Sequence, residues 1–168
     1  MITRYFLPLL AVLLVGCAGY RLGPVQPKFM DGVKTIAVPT FKNDTLVPHL
    51  EALVANTVIK QVQTDGTYRI ASVDNADVIV QGTITEIERK SVRSLESNVL
   101  ATSEFNLVVH LSYTVTRRST GEQIDSREVI GQTSFFVGSD IQQDEQQALP
   151  LAVQDASDRL VSDISEGW

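Results

Sequence analysis

Few residues in this chain have the type and spacing to do chemistry. The lone cysteine, Cys17, follows Leu14-Val15-Gly16 directly. The two histidines, His49 and His110, belong to no metal-spaced or H-E-x-x-H pattern. No G-x-S-x-G, G-x-G-x-x-G or phosphate-cradling G-x-x-x-x-G-K stands anywhere in the chain. The reading is therefore of a non-enzyme with no catalytic residue, cofactor or metal site. Charge narrows the partners. With 14 Lys and Arg against 20 Asp and Glu, the net charge is −6. That balance argues against nucleic acid and against broad adhesion to anionic lipid, both of which need clustered cations. An anionic ligand would need a local basic cluster, and two exist. Arg89, Lys90 and Arg93 form one, with Lys42 expected at the same end of the fold; Arg117-Arg118 form the other. Arg offers phosphate a bidentate fork and Lys a point charge. Glu86, Glu88 and Glu96 stand close enough in sequence to neutralise the first cluster, the ordinary fate of surface charge.

The elements that must position these residues follow from periodicity. Lys34 to Pro39 reads as a short strand ended by proline, and Phe41 to Asp44 as a loop. Pro48 fits the first turn of a helix. Behind it Leu50, Leu53, Val54, Thr57, Val58 and Val62 recur at helical steps until Asp65-Gly66 stops it. A short strand from Tyr68 to Val73 precedes a longer one from Ala76 to Ile87, where Val78, Val80 and Ile84 alternate with polar residues. Glu88 to Ser103 reads as a long, serine-rich loop and so as a place to look for function. From Glu104 to Thr116 the alternation is clearest, with Phe105, Leu107, Val109, Leu111, Tyr113 and Val115 on one face. A turn at Arg117 to Glu122 returns the chain as a strand over Gln123 to Val137. Asp140 with Gln143 suits a capping box for a closing helix, in which Pro150 marks either a kink or the true start.

The order β-α-β-β-β-α predicts an α/β (α+β) two-layer sandwich. It should hold a mixed sheet of about four strands with two helices on one face. The other face is too polar to be core: Gln81, Thr83, Thr85, Asn106, His110, Ser112 and Thr114 all fall on it. Such a face is either solvated or docked against a polar wall. Topology sets the Arg89 cluster and the start of the last helix at one end of the sheet, and the Arg117-Arg118 turn at the other.

The opening stretch adds a location. Basic, then apolar over residues 5–15, then small is the layout of a secretory signal. The apolar run is 11 residues, interrupted by Pro8, against about 20 needed to span a bilayer. The cysteine at its end looks like the lipobox of bacterial lipoproteins, in which cleavage leaves an acylated Cys17 as the first residue. The expected division is residues 1–16 as lipoprotein signal peptide, 17–32 as a lipidated linker rich in Gly and Pro, and 33–168 as the folded domain.

With those pieces in place the chain resembles the lipopolysaccharide-assembly lipoproteins, the LptE family. The resemblance rests on the lipobox followed by Ala18-Gly19-Tyr20, and on Val33-Lys34-Thr35-Ile36-Ala37-Val38-Pro39 with Phe41-Lys42-Asn43. In the closing helix it rests on Ala148-Leu149-Pro150-Leu151-Ala152-Val153, Arg159-Leu160-Val161 and Glu166-Gly167-Trp168. It implies an outer-membrane lipoprotein that plugs a large β-barrel translocon, an LptD-like partner, and helps lipopolysaccharide reach the cell surface. It also implies direct contact with lipopolysaccharide through basic residues. The candidates here are Arg89, Lys90, Arg93 and Lys42, with the polar sheet face as the partner-docking surface. Ala18, rather than Asp, after the lipidated cysteine resembles the outer-membrane sorting pattern. A second resemblance, to lipoproteins that regulate cell-wall synthases or form secretion channels, rests on Val33 to Asn43 and on Ala76 to Gly82. A periplasmic lipoprotein that binds a small ligand is the third reading.

Overall fold

The computed structural model describes residues 26–93, 104–138 and 140–167. Six strands and two helices alternate along it: β1 (Thr35–Ala37), β2 (Lys42–Asn43), α1 (Leu50–Asp65), β3 (Arg69–Ile70), β4 (Val78–Arg93), β5 (Glu104–Arg117), β6 (Glu122–Phe136) and α2 (Ile141–Ser165). The sheet runs in the order β3-β1-β4-β5-β6, with β2 continuing the line of β1 along β4. β1 is parallel to both β3 and β4, while β4, β5 and β6 form an antiparallel meander. Both helices lie on one face, as the element order predicts, and the fold is the expected α+β sandwich. The sheet holds six strands rather than about four, because two-residue strands leave no periodic signal to read.

Each helix forms because its apolar residues fall on one side. Leu50, Val54, Val58 and Val62 step by four along α1 and are all buried. Gly66 closes the helix at φ 76°, donating its N–H to Val62 O at 3.1 Å. The start differs from expectation: Pro48 stays in the preceding turn, and His49 at φ 63° precedes the first helical residue. In α2 the expected N-cap is present, since Asp140 Oδ1 accepts from the N–H groups of Gln142 and Gln143. The helix therefore starts at Ile141, and Pro150 lies inside it. Pro150 sits on the exposed side, where water can satisfy the Gln146 carbonyl that has lost its donor. The inward side of α2, from Ala148 through Ala152, Val153, Ala156, Leu160 and Ile164, is buried against β5 and β6. Two serines on that side, Ser157 and Ser165, satisfy their hydroxyls by donating back to Val153 O and Val161 O.

Three further departures bear on function. Lys42–Asn43 is a strand rather than a loop, paired in parallel with Thr83 and Ile84 of β4. Glu88 to Arg93, expected to begin a loop, continues β4 opposite Val108 to Glu104. The rest of that expected loop, 94–103, lies outside the described residues. Packing also reaches back before Val33. Met30, at the end of a 3-10 turn, is 0% exposed and belongs to the core. Arg127 lies over the Phe29 ring at 5.6 Å, and Arg117 donates to Phe29 O at 3.5 Å.

Candidate functional site

The face of the sheet away from the helices carries the seven residues read as a docking surface. Gln81 stands directly opposite Thr114 and Thr83 opposite Ser112, on β4 and β5. Together they line a shallow groove of about 450 Å³ with Pro39, Thr40, Lys42 and Ser126. Thr85 donates from Oγ1 to His110 O at 3.4 Å, and Asn106 Nδ2 to Gln132 Oε1 at 3.3 Å. Among the described residues no helix covers this face. Periodicity showed its β4 and β5 members; it missed the third strand, where Ser126, Glu128, Ile130, Gln132, Ser134 and Phe136 continue the same side. The partial alternation of β6 was the available signal. Ile130 and Phe136 put apolar surface, 43% and 62% exposed, into an otherwise polar face.

A bulge changes the lower half of this face. Strand pairing runs Ile84↔Leu111 and then Glu86↔His110, so one residue, Thr85, is extra on β4. Without it Glu86 would oppose Val109 and point at the helices. With it, Glu86, Glu88 and Lys90 move to the open face, while Ile87 and Arg89 move to the helical one. The apolar spacing betrays the shift: Val78, Val80 and Ile84 keep step, but the next apolar residue is Ile87, three on from Ile84.

The basic residues are consequently dispersed. Arg89 meets Glu145 of α2 at 3.3 Å on the helical side. Lys90 rests against Glu88 on the open side. Lys42 pairs with Asp44, its near neighbour in β2's exit, at 2.9 Å. Arg93 lies at the end of β4, and its side chain is outside the described atoms. The four do not form one patch, and each of the three described has an acidic partner. Those pairs are half-exposed or more on the basic side, hence weak and exchangeable against a phosphate. Arg117 and Arg118 sit at the other end and clamp the fold, Arg118 Nε donating to Ala76 O at 2.8 Å. Cys17 lies outside the described residues.

His110 is the chemical centre of the bulged region. Its Nδ1 lies 3.2 Å from Glu128 Oε1, and its Nε2 lies 3.8 Å from Glu88 Oε2. Nε2 is buried and has no hydrogen-bond partner among the described residues. One ligand atom from each of Glu86, Glu88 and His110 falls within 4.8 Å of the others. Glu88 is held ionised below the usual carboxylate range, chiefly by its hydrogen bond from Lys90, with His110 adding to the effect.

Solved structures with this fold include the PelC dodecamer from Paraburkholderia phytofirmans, 17% identical over 83% of this chain and 92% of that one, with a TM-score of 0.52. Protein XCC0632 from Xanthomonas campestris is 13% identical over 84% of this chain and 87% of that one, at a TM-score of 0.56. A minor lipoprotein from Acinetobacter baumannii is 14% identical over 79% of this chain and 93% of that one, at 0.53. At such identities the likeness shows the fold alone. No curated protein sequence matches the chain. The family model described as lipopolysaccharide-assembly, LptE, matches residues 33–164.

Proposed function

Because the chain belongs to the lipopolysaccharide-assembly LptE family, we propose that it is an outer-membrane lipoprotein, anchored by acylated Cys17, that binds and plugs a large β-barrel translocon. The role is docking and assembly of lipopolysaccharide at the cell surface rather than catalysis. The observation that carries the docking half is the uncovered polar face of β4, β5 and β6. A barrel lumen is itself polar, so a wall of Thr, Ser, Gln and Asn side chains can exchange water for hydrogen bonds there. Arg89, Lys90, Arg93 and Lys42 are the residues proposed to meet lipopolysaccharide phosphates. Their exposed partners Asp44, Glu88 and Glu145 would be exchanged for the stronger charge-assisted bonds of a phosphate.

The test is purification of the tagged full-length protein from its own membranes in mild detergent. A β-barrel protein recovered one-to-one is the expected result, with an acylated N-terminus at Cys17 in the mass spectrum. Recovery with a cell-wall synthase, or as a free homo-oligomer, would overturn the translocon reading in favour of a synthase regulator or channel lipoprotein. Lipopolysaccharide crosslinking that survives alanine at all four basic positions would remove them as its contacts.

A further inference from the structure

We propose that His110, Glu86 and Glu88 form a divalent transition-metal site on the open sheet face, with Zn2+ as its expected occupant. The inference rests on geometry and stands independently of the translocon reading. An imidazole nitrogen with two carboxylates is a donor set suited to Zn2+, whose N and O ligands sit at about 2.0–2.2 Å and therefore within about 3–4 Å of one another. The three donor atoms already lie within 4.8 Å, on a strand pair whose register fixes their Cα positions. Small rotations of two partly exposed Glu side chains are enough to close the remaining distance.

Histidine, not the acids, makes this more than a patch of charge. An imidazole ligand needs its second nitrogen held by an acceptor, and Glu128 Oε1 stands 3.2 Å from Nδ1. That hydrogen bond puts the proton on Nδ1 and leaves the Nε2 lone pair facing Glu86 and Glu88. Nε2 is the buried atom without a hydrogen-bond partner, on a side chain only 17% exposed. A buried acceptor in that position is costly unless something fills it. The bulge at Thr85 is what creates the set, since it alone carries Glu86 and Glu88 across to the side of His110. Lys90, whose ammonium rests on Glu88, is the competitor: it is 62% exposed and free to swing away.

The experiment uses the full-length chain, untagged by histidine, in mild detergent after chelator treatment, with Zn2+ titrated calorimetrically. Saturable binding of one Zn2+ per chain is expected, together with a rise in Tm. His110→Ala should abolish it. Glu128→Gln should weaken it about 10–100-fold, the usual effect of losing a ligand's supporting carboxylate. Lys90→Ala should tighten it, because the competing cation is gone. Glu86→Gln, at an exposed position that folding does not depend on, should weaken binding with an unchanged circular dichroism spectrum. No saturable binding, or Zn2+ affinity unchanged in His110→Ala, would overturn the proposal. Tighter Mg2+ or Ca2+ than Zn2+ binding would do the same, since it would mark a merely acidic surface.

Discussion

Asp77 shows how much one carboxylate can organise. It stands at the entry to β4, and its Oδ2 accepts from Lys34 N–H, Thr35 N–H and Thr35 Oγ1, each at 2.9 Å. Those bonds tie the first residues of β1 to its parallel neighbour, where only two residue pairs join the strands. They also hold the Asp77 carboxyl below its usual range, the Lys34 backbone bond being the largest cause. The sign of the pH dependence follows. A carboxylate favoured in the folded state adds stability above its unfolded pKa of about 3.9, and loses it as pH falls through the folded value. Asp77→Asn is therefore expected to lower stability by about 1 kcal/mol at neutral pH, a figure kept small because the site is exposed to water. Urea titrations of the two proteins should converge as pH drops below about 4; a gap that persists at pH 2 would assign the effect to something other than the charge. Residue-scale reading from sequence succeeded where alternation is unbroken: Gln81, Thr83, Asn106, His110, Ser112 and Thr114 share one face as expected. It failed for Arg89 and Lys90, neighbours in sequence that point to opposite faces of β4, because adjacency looks like a cluster and a strand separates it.

The elements are held at their spacing by what is missing as much as by what is present. A Cβ on Gly131 of β6 would lie 2.1 Å from Ala152 O and 2.4 Å from Ala156 N, both backbone atoms of α2. The small residues Ala152 and Ala156 face it, so helix and strand approach at the distance only a glycine permits. Gly131→Ala must push α2 away from the sheet and loosen Val153, Leu160 and Ile164 behind it. A loss of about 1–3 kcal/mol is expected, the range for overpacking a filled core, measured by denaturant unfolding. A cost near zero would mean α2 slides freely on β6. That same closeness protects the outer edge of the sheet, since Asp155 of α2 accepts the outward N–H of Gln132 at 2.9 Å. Little of this was legible beforehand. The long strands and helices show through their periodicity, and the Asp140 cap and Gly66 stop through residue type. The two-residue strands β2 and β3 carry too few residues for any period, and the extension of β4 to Arg93 is a polar ribbon that reads as loop. The bulge at Thr85 was present as a three-residue step from Ile84 to Ile87, a signal that a search for strict alternation discards.

For the whole molecule the question is why a domain of this size leaves one side of a six-stranded sheet bare. Both helices pack on a single face, and the buried core lies between them and the sheet. The bare side is neither apolar enough to be a second core nor charged enough to be merely solvated over β4 and β5 from Gln81 to Thr85 and from Ser112 to Thr114. A neutral, hydrogen-bonding wall is what a polar partner surface can dehydrate at small cost, because each lost water bond is replaced. Charge placed there has the opposite effect: an unpaired carboxylate carried into a desolvated interface costs several kcal/mol, and each 1.4 kcal/mol is tenfold in affinity. Glu at Thr83, Thr85 and Thr114 together should therefore cut recovery of the β-barrel partner by about 100-fold or more. The domain should still fold, since none of the three is buried. The same two charges added at Gln63 and Thr64, exposed on α1, should leave recovery unchanged. Co-purification of both variants from membranes, with circular dichroism of each, separates the cases. Loss from the sheet face alone assigns docking to it; loss from both would make the effect one of net charge on an already acidic chain; loss from α1 alone would put the partner against the helices instead.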